Sequence, residues 1–243
     1  MFLFQKNNPE TVWGTAALLK MKLNFGNSYS QDKGNKHGGH VNRKYGDSYI
    51  CSMTKLPPDL KENPWKTHTS EEVYESPWIS VTKHDITNPG GFPGTYSVVH
   101  FKNLAIGVIV LDENLNTWLV GQYRYPIDQY TWEIPEGGGK PEIDPLESAK
   151  RELLEETGIT AGKWTKIQEM FLSNSASDEF CILYLAQEIS IGKSQPEPDE
   201  ELQLVKLPFE EVYQLVLAGK ITDSLSVTAI LKLKLLLLEN KIQ

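Results

Sequence analysis

A mixed α/β sandwich is the fold this sequence predicts, with one short helix set between two groups of strands and two more helices at its end. Three observations carry it. One well-delimited helix lies between Asp144 and Gly158; apolar runs of strand length flank it on both sides, as at 105–111 and 180–186; and two helical patterns follow Pro208.

Taken in order, residues 1–55 stand apart. Positions 11–23 predict one weak helix, but 24–47 are rich in Gly, Asn, Ser, Lys and His and hold too little apolar surface to offset ordering entropy. This stretch reads as a flexible extension, and its His37 and His40 as incidental rather than metal-binding. Residues 56–104 read as a small N-terminal β region. There a strand at 78–86 and a returning strand at 95–101 are joined by the turn sequence Asn-Pro-Gly-Gly-Phe-Pro-Gly at 88–94.

Residues 105–243 form the main domain. Its first strand, 105–111, is almost continuously apolar, as a strand buried on both faces must be. A polar turn at 112–116 leads to a strand at 117–125, and 132–135 make a short strand entering a run of glycines. The helix that follows is bounded by its own chemistry. Asp144 is a suitable N-cap, Pro145 fits the first helical position, Glu147 completes a capping box and Gly158 suits the left-handed terminus. Leu146, Ala149 and Leu153 share one face. Strands are expected at 164–171, 180–186 and 201–206, with a polar loop at 189–200, and helices at 208–218 and 223–238. The leucine-rich end carries Lys232 and Lys234 and is too short and too charged to span a bilayer.

Composition narrows the function. A net charge of −8 argues against nucleic-acid and anionic-membrane partners, and two cysteines, Cys51 and Cys181, make no disulfide framework. Cys181 sits in an apolar run as a small core residue. The first residues break into polar sequence and Pro9 too early for a signal peptide, so the cytoplasm is the expected compartment.

The central helix carries the chemistry. Arg151 reaches Glu155 and Glu147 at four-residue spacing. That leaves Glu152 and Glu156 one turn apart without a counter-charge from the helix, a repulsion that a hard divalent cation relieves. A solvated acidic face is the plain alternative for such a run.

The whole stretch from Gly137 to Ile159 resembles the Nudix box, G-x5-E-x7-R-E-U-x-E-E-x-G-U with U aliphatic. Gly137, Arg151-Glu152-Leu153 and Glu155-Glu156-Thr157-Gly158-Ile159 fill their positions, while Ile143 stands where the box has its first glutamate and Glu142 falls one residue early. The resemblance implies a Nudix-type α/β/α sandwich with a mixed sheet, preceded by the small β hairpin region. It makes Glu152 and Glu156 ligands of Mg²⁺ or Mn²⁺, with Glu155 a further ligand or the residue that orients Arg151.

Other stretches resemble the nucleotide-sugar branch of that family. Gln122-Tyr-Arg-Tyr-Pro126 implies that Arg124 reaches the ligand, a role suited to its planar fork. Trp132-Glu-Ile-Pro-Glu-Gly-Gly138 implies that Glu133 faces the ligand and that the carbonyl of Glu136 binds metal; the branch often has Ala at that position. The stretch 172–179 ends in Ser-Asp-Glu, with Glu179 toward the substrate, and leans toward sugars of the GDP-mannose type. Glu200, then Glu201, are the candidates for general base, Glu200 also for a late metal ligand. The implied reaction is metal-dependent hydrolysis of a nucleoside diphosphate sugar of the ADP-ribose or GDP-mannose type, to a nucleoside monophosphate and a sugar phosphate, by a homodimer. Another nucleoside diphosphate derivative as substrate, or a non-catalytic ligand sensor of the same fold, are the alternatives.

Overall fold

Three sheets organise the computed structural model, which describes residues 62–193 and 202–242. The first is antiparallel, ordered β1-β2-β3, from Lys66–Glu75, Ile79–Thr87 and Pro93–Phe101. The sequence predicts only the second and third of these as a hairpin. β1 escapes because its sequence, KTHTSEEVYE, is exposed along its whole length and so has no apolar alternation to betray it. Polar pairs hold it instead: Thr69 donates to Asp85 at 2.7 Å, and Ser70 meets His84 at 2.8 Å.

The other two sheets build the main body. β4 (Leu104–Val110) is central to a mixed sheet ordered β7-β4-β9-β8, parallel to β9 (Phe180–Ile191) and antiparallel to β7 (Glu136–Gly139). β5 (Asn116–Arg124), β6 (Gln129–Glu133) and β10 (Gln203–Pro208) make the third sheet. β8 (Ile159–Phe171) starts directly after the helix, and β9 runs to Ile191, so both exceed the expected bounds. Each lies along the other over the full hairpin, and backbone pairing continues where side-chain alternation fades. The run of glycines is the strand β7; pairing with β4 compensates for glycine's weak strand preference.

Helices cover both faces. Ile106, Val108 and Val110 of β4 pack toward Ala149 and Leu153 of α1 (Pro145–Thr157). Ile109 and Leu111 face the opposite way, toward Val212 of α2 (Phe209–Leu217) and Leu225, Ala229, Ile230 and Leu233 of α3 (Ser224–Leu238). That two-sided burial is why the run reads as uninterrupted apolar sequence. Among the described residues, no helix is long and apolar enough to cross a membrane.

The caps of α1 are as expected with one change. Asp144 accepts the amide of Leu146 at 2.9 Å, and Gly158 takes φ 72° with its amide on Leu154 O. The reciprocal half of the capping box is replaced: Glu147 turns to Lys150 at 2.7 Å, because a cation three residues on outcompetes an exposed amide.

Candidate active site

α1 lies along β7, and Glu152 and Glu156 point from it toward that strand, 9% and 5% exposed. The Glu156 carboxylate accepts the backbone amide of Glu136 at 3.0 Å. Gly137 gives Glu152 its space: a Cβ at that position would sit 2.2 to 2.4 Å from the Glu152 carboxyl. Glycine is therefore required here for close approach.

Arg151 behaves differently from the expectation. It pairs with Glu155 at 2.6 Å, as expected, but its other nitrogen goes to Glu152 at 2.5 Å and to the carbonyl of Gly138 at 2.8 Å, not to Glu147. Glu152 thus has a counter-charge from its own helix. Nearness to β7 is the cause, since the Gly138 carbonyl draws the guanidinium across the helix toward Glu152.

A second group forms on β5 and β6. Alternation along the pair puts Gln122, Arg124, Thr131 and Glu133 on one face. Arg124 Nε donates to both oxygens of Glu133, at 3.1 and 3.0 Å, and Nη2 donates to Glu133 Oε2 and Glu136 Oε1, each at 2.6 Å. Thr131 Oγ1 donates to Glu133 at 2.7 Å. Among the described residues, the hydrogen bonds of Arg124 all run through its Nε–Nη2 edge.

Asp223 closes this group from α3. Its carboxylate caps the helix by accepting the Ser226 amide at 2.7 Å, while the Ser226 hydroxyl accepts the buried Ile134 amide at 2.9 Å. Ligand oxygens of Glu133, Glu136 and Asp223 all lie within 4.8 Å of one another. Burial, then the neighbouring Asp223 and Glu133 charges, raise the Glu136 carboxyl well above its usual range, with Arg124 opposing. Among the described residues, its Oε2 is buried without a hydrogen-bond partner. Glu179 is also raised, by burial and then by Asp223.

Glu136 joins the two groups, its amide on Glu156 and its side chain on Arg124. Oxygen donors, buried and in excess of the cations around them, suit a hard divalent ion. Asp223, Thr131 and Ser226 are absent from the sequence-derived candidates. In the sequence Asp223 stands only as the first residue of the helix expected at 223–238, and its position opposite Glu136 gives it more. Glu200 and Glu201 lie outside the described residues, as do His37, His40 and Cys51. A separate cavity of about 470 Å³, lined by Asp112, Trp118, Gln187 and Lys206 among others, shares no residue with either group.

Comparison with known proteins bears on the same residues. A model described as NUDIX domain matches residues 101–225, and one described as Nucleoside diphosphate sugar hydrolase N-terminal domain matches residues 65–99. The chain is 30% identical over 178 residues to an ADP-ribose pyrophosphatase of Bacillus subtilis (strain 168), covering 72% of this chain and 96% of that one. It is 30% identical over 89 residues to a GDP-mannose pyrophosphatase of Salmonella typhimurium, covering 35% and 46%. A crystal structure of an ADP compounds hydrolase shares the fold, with TM-score 0.67, 18% identity, and coverage of 76% of this chain and 100% of that one.

Proposed function

The chain belongs to the Nudix family, and from that premise we propose that it hydrolyses the pyrophosphate bond of a nucleoside diphosphate sugar of the ADP-ribose or GDP-mannose type. The products are a nucleoside monophosphate and a sugar phosphate. The observation that carries the reading is the meeting at Glu136 of the α1 carboxylates with the Arg124 group. It sets metal-type donors beside a held guanidinium, as a linked diphosphate requires. The N-terminal match at residues 65–99 supports the nucleotide-sugar class.

Glu152, Glu156 and the backbone carbonyl of Glu136 would hold Mg²⁺ or Mn²⁺, and Glu200 would add a ligand. Such an ion neutralises phosphate oxygens and lowers the pKa of bound water. Arg151 keeps Glu152 and Glu155 in place against β7. Arg124 offers Nη1 to the diphosphate while Glu133 fixes its plane, and Glu179 lines the same side. Attack of a water oxygen on phosphorus breaks the anhydride P–O bond, and the water's proton passes to Glu200 or to Glu201. The exposed Val73, Tyr74 and Phe101 of the three-stranded sheet, with Trp78 in the turn between β1 and β2, support a homodimer formed there, and the free buried Cys181 supports a cytoplasmic setting.

Assay of ADP-ribose, GDP-mannose, ADP-glucose, UDP-glucose and a nucleoside triphosphate with Mg²⁺ tests the reading. Turnover of at least one sugar nucleotide, with release of a monophosphate and a sugar phosphate, is expected. Turnover of the triphosphate alone would refute it.

A further inference from the structure

β3 is the edge strand of the N-terminal sheet, and its free edge is used. A segment of the main domain, residues 172–179, lies along it. The Val99 amide donates to Ala176 O at 2.9 Å, the Asp178 amide donates back to Val99 O at 3.2 Å, and Val99 and Ser177 form a parallel bridge. Side chains reinforce the contact. Tyr96 donates its hydroxyl hydrogen to Ser175 O at 2.5 Å, Asp178 Oδ1 accepts the Phe101 amide at 2.9 Å, and Asp178 Oδ2 meets His100 Nδ1 at 2.6 Å.

The same segment is closed on itself. Leu172 donates to Glu179 O at 3.0 Å, and Ala176 and Ser177 both donate to Ser173 O at 2.9 Å. Its last residue, Glu179, is half-buried and feels the charge of Asp223. The carboxylate of Asp178 is therefore the last tie to the N-terminal sheet before the chain enters the site. Burial pushes its carboxyl up, but His100 and the Phe101 amide outweigh that and hold it below the usual range.

We infer that Asp178 is a positioning residue: by anchoring the 172–179 segment to the edge of β3 through His100 and Phe101, it sets where Glu179 stands beside Asp223, and so sets substrate affinity. This rests on the site reading given above. The N-terminal sheet then acts on the site within one chain. The hydrogen bonds of the Asp178 side chain go to His100 and Phe101, not to Glu152, Glu156 or Glu136. Its exposed ion pair alone would count for little; the charge-assisted bond to a backbone amide and the strand-like bridge beside it give the anchor its stiffness.

The test is kinetic, with ADP-ribose and GDP-mannose as substrates and Mg²⁺ as the metal. Asp178→Ala should raise KM about fivefold with kcat within about twofold, the pattern of lost binding that is common to ground and transition states. Asp178→Asn keeps an acceptor for Phe101 and should recover most of the loss. His100→Ala, a milder exposed change, should shift KM the same way by about twofold. In a Glu179→Gln background, Asp178→Ala should add little, because the two act through one another. An equal KM increase in both backgrounds, an unchanged KM, or a fall in kcat accompanied by a lower Tm would overturn the inference. Amide hydrogen exchange at Val99 and Phe101 is a readout that needs no turnover. It should quicken in Asp178→Ala and stay near wild type in Asp178→Asn; unchanged exchange would overturn the anchor. A wild-type protein inactive on both sugars would instead refute the proposed function, and exchange would still decide this point.

Discussion

The carboxyl group of Glu152 occupies the space over Gly137 that a side chain would take, with any Cβ there falling within 2.4 Å of it. Gly137→Ala should therefore displace Glu152 rather than unfold β7. The expected result is loss of activity by about 10²-fold and weaker Mg²⁺ binding by calorimetry, with Tm lowered by only a few degrees.

Glu156→Gln keeps an oxygen for the Glu136 amide but removes a full charge from the proposed metal site. Turnover should fall by about 10²–10³-fold while the circular dichroism spectrum stays that of the wild type. An active variant would remove Glu156 from the metal ligands.

Arg124→Lys replaces a fork with a point charge. A lysine cannot hold both Glu133 and Glu136 in the present geometry, so two carboxylates of the site lose part of their pairing. KM for the sugar nucleotide should rise about tenfold, and stability in urea should fall by about 2 kcal/mol, less than for a fully buried pair because Arg124 is partly solvated.

Asp112 offers a pH test away from the site. Burial pushes its carboxyl up, but Lys206 and the amides and side chain of Asn114 and Asn116 outweigh this and hold it at about 2, against an ordinary 3.8. A carboxyl depressed on folding stabilises above its unfolded pKa and loses that contribution as pH falls through the folded value. The contribution is about 2.5 kcal/mol at neutral pH and is lost between about pH 4 and pH 2. Asp112→Asn should lower the urea midpoint at pH 7, and the gap from wild type should close as the solution approaches pH 2.

Cys181 is fully buried, and burial, followed by the charges of Glu136, Asp223 and Glu179, pushes its thiol up to about 12. In a Cys51→Ser background the native protein should not react with a disulfide reagent at pH 8, and should react once unfolded in urea. Reaction of the folded protein would show that the core under β9 opens.

How much of this was legible follows from what kind of signal each feature leaves. β4 announced itself because both its faces are covered, and α1 because Asp144, Pro145 and Gly158 act on their own neighbours in the chain. β1, solvated throughout, leaves no such pattern, and the extension of β9 to Ile191 depends on β8 lying alongside. Within the site, Glu152, Glu156, Arg124 and Glu133 could be singled out from spacing and resemblance, whereas Asp223 could not.

The sequence by itself determined the local facts: which residues begin and end α1, which strands are apolar enough to be central, and which carboxylates stand one helical turn apart. Only the tertiary structure decided who faces whom. It turned Arg151 onto Glu152, drew the Glu136 side chain to Arg124 and brought Asp223 opposite it from α3, 87 residues further along the chain. The reason is physical. Caps and periodicities are set by bonds that span a few residues, but charge pairing depends on distance in space, which the chain acquires only when its sheets and helices have packed.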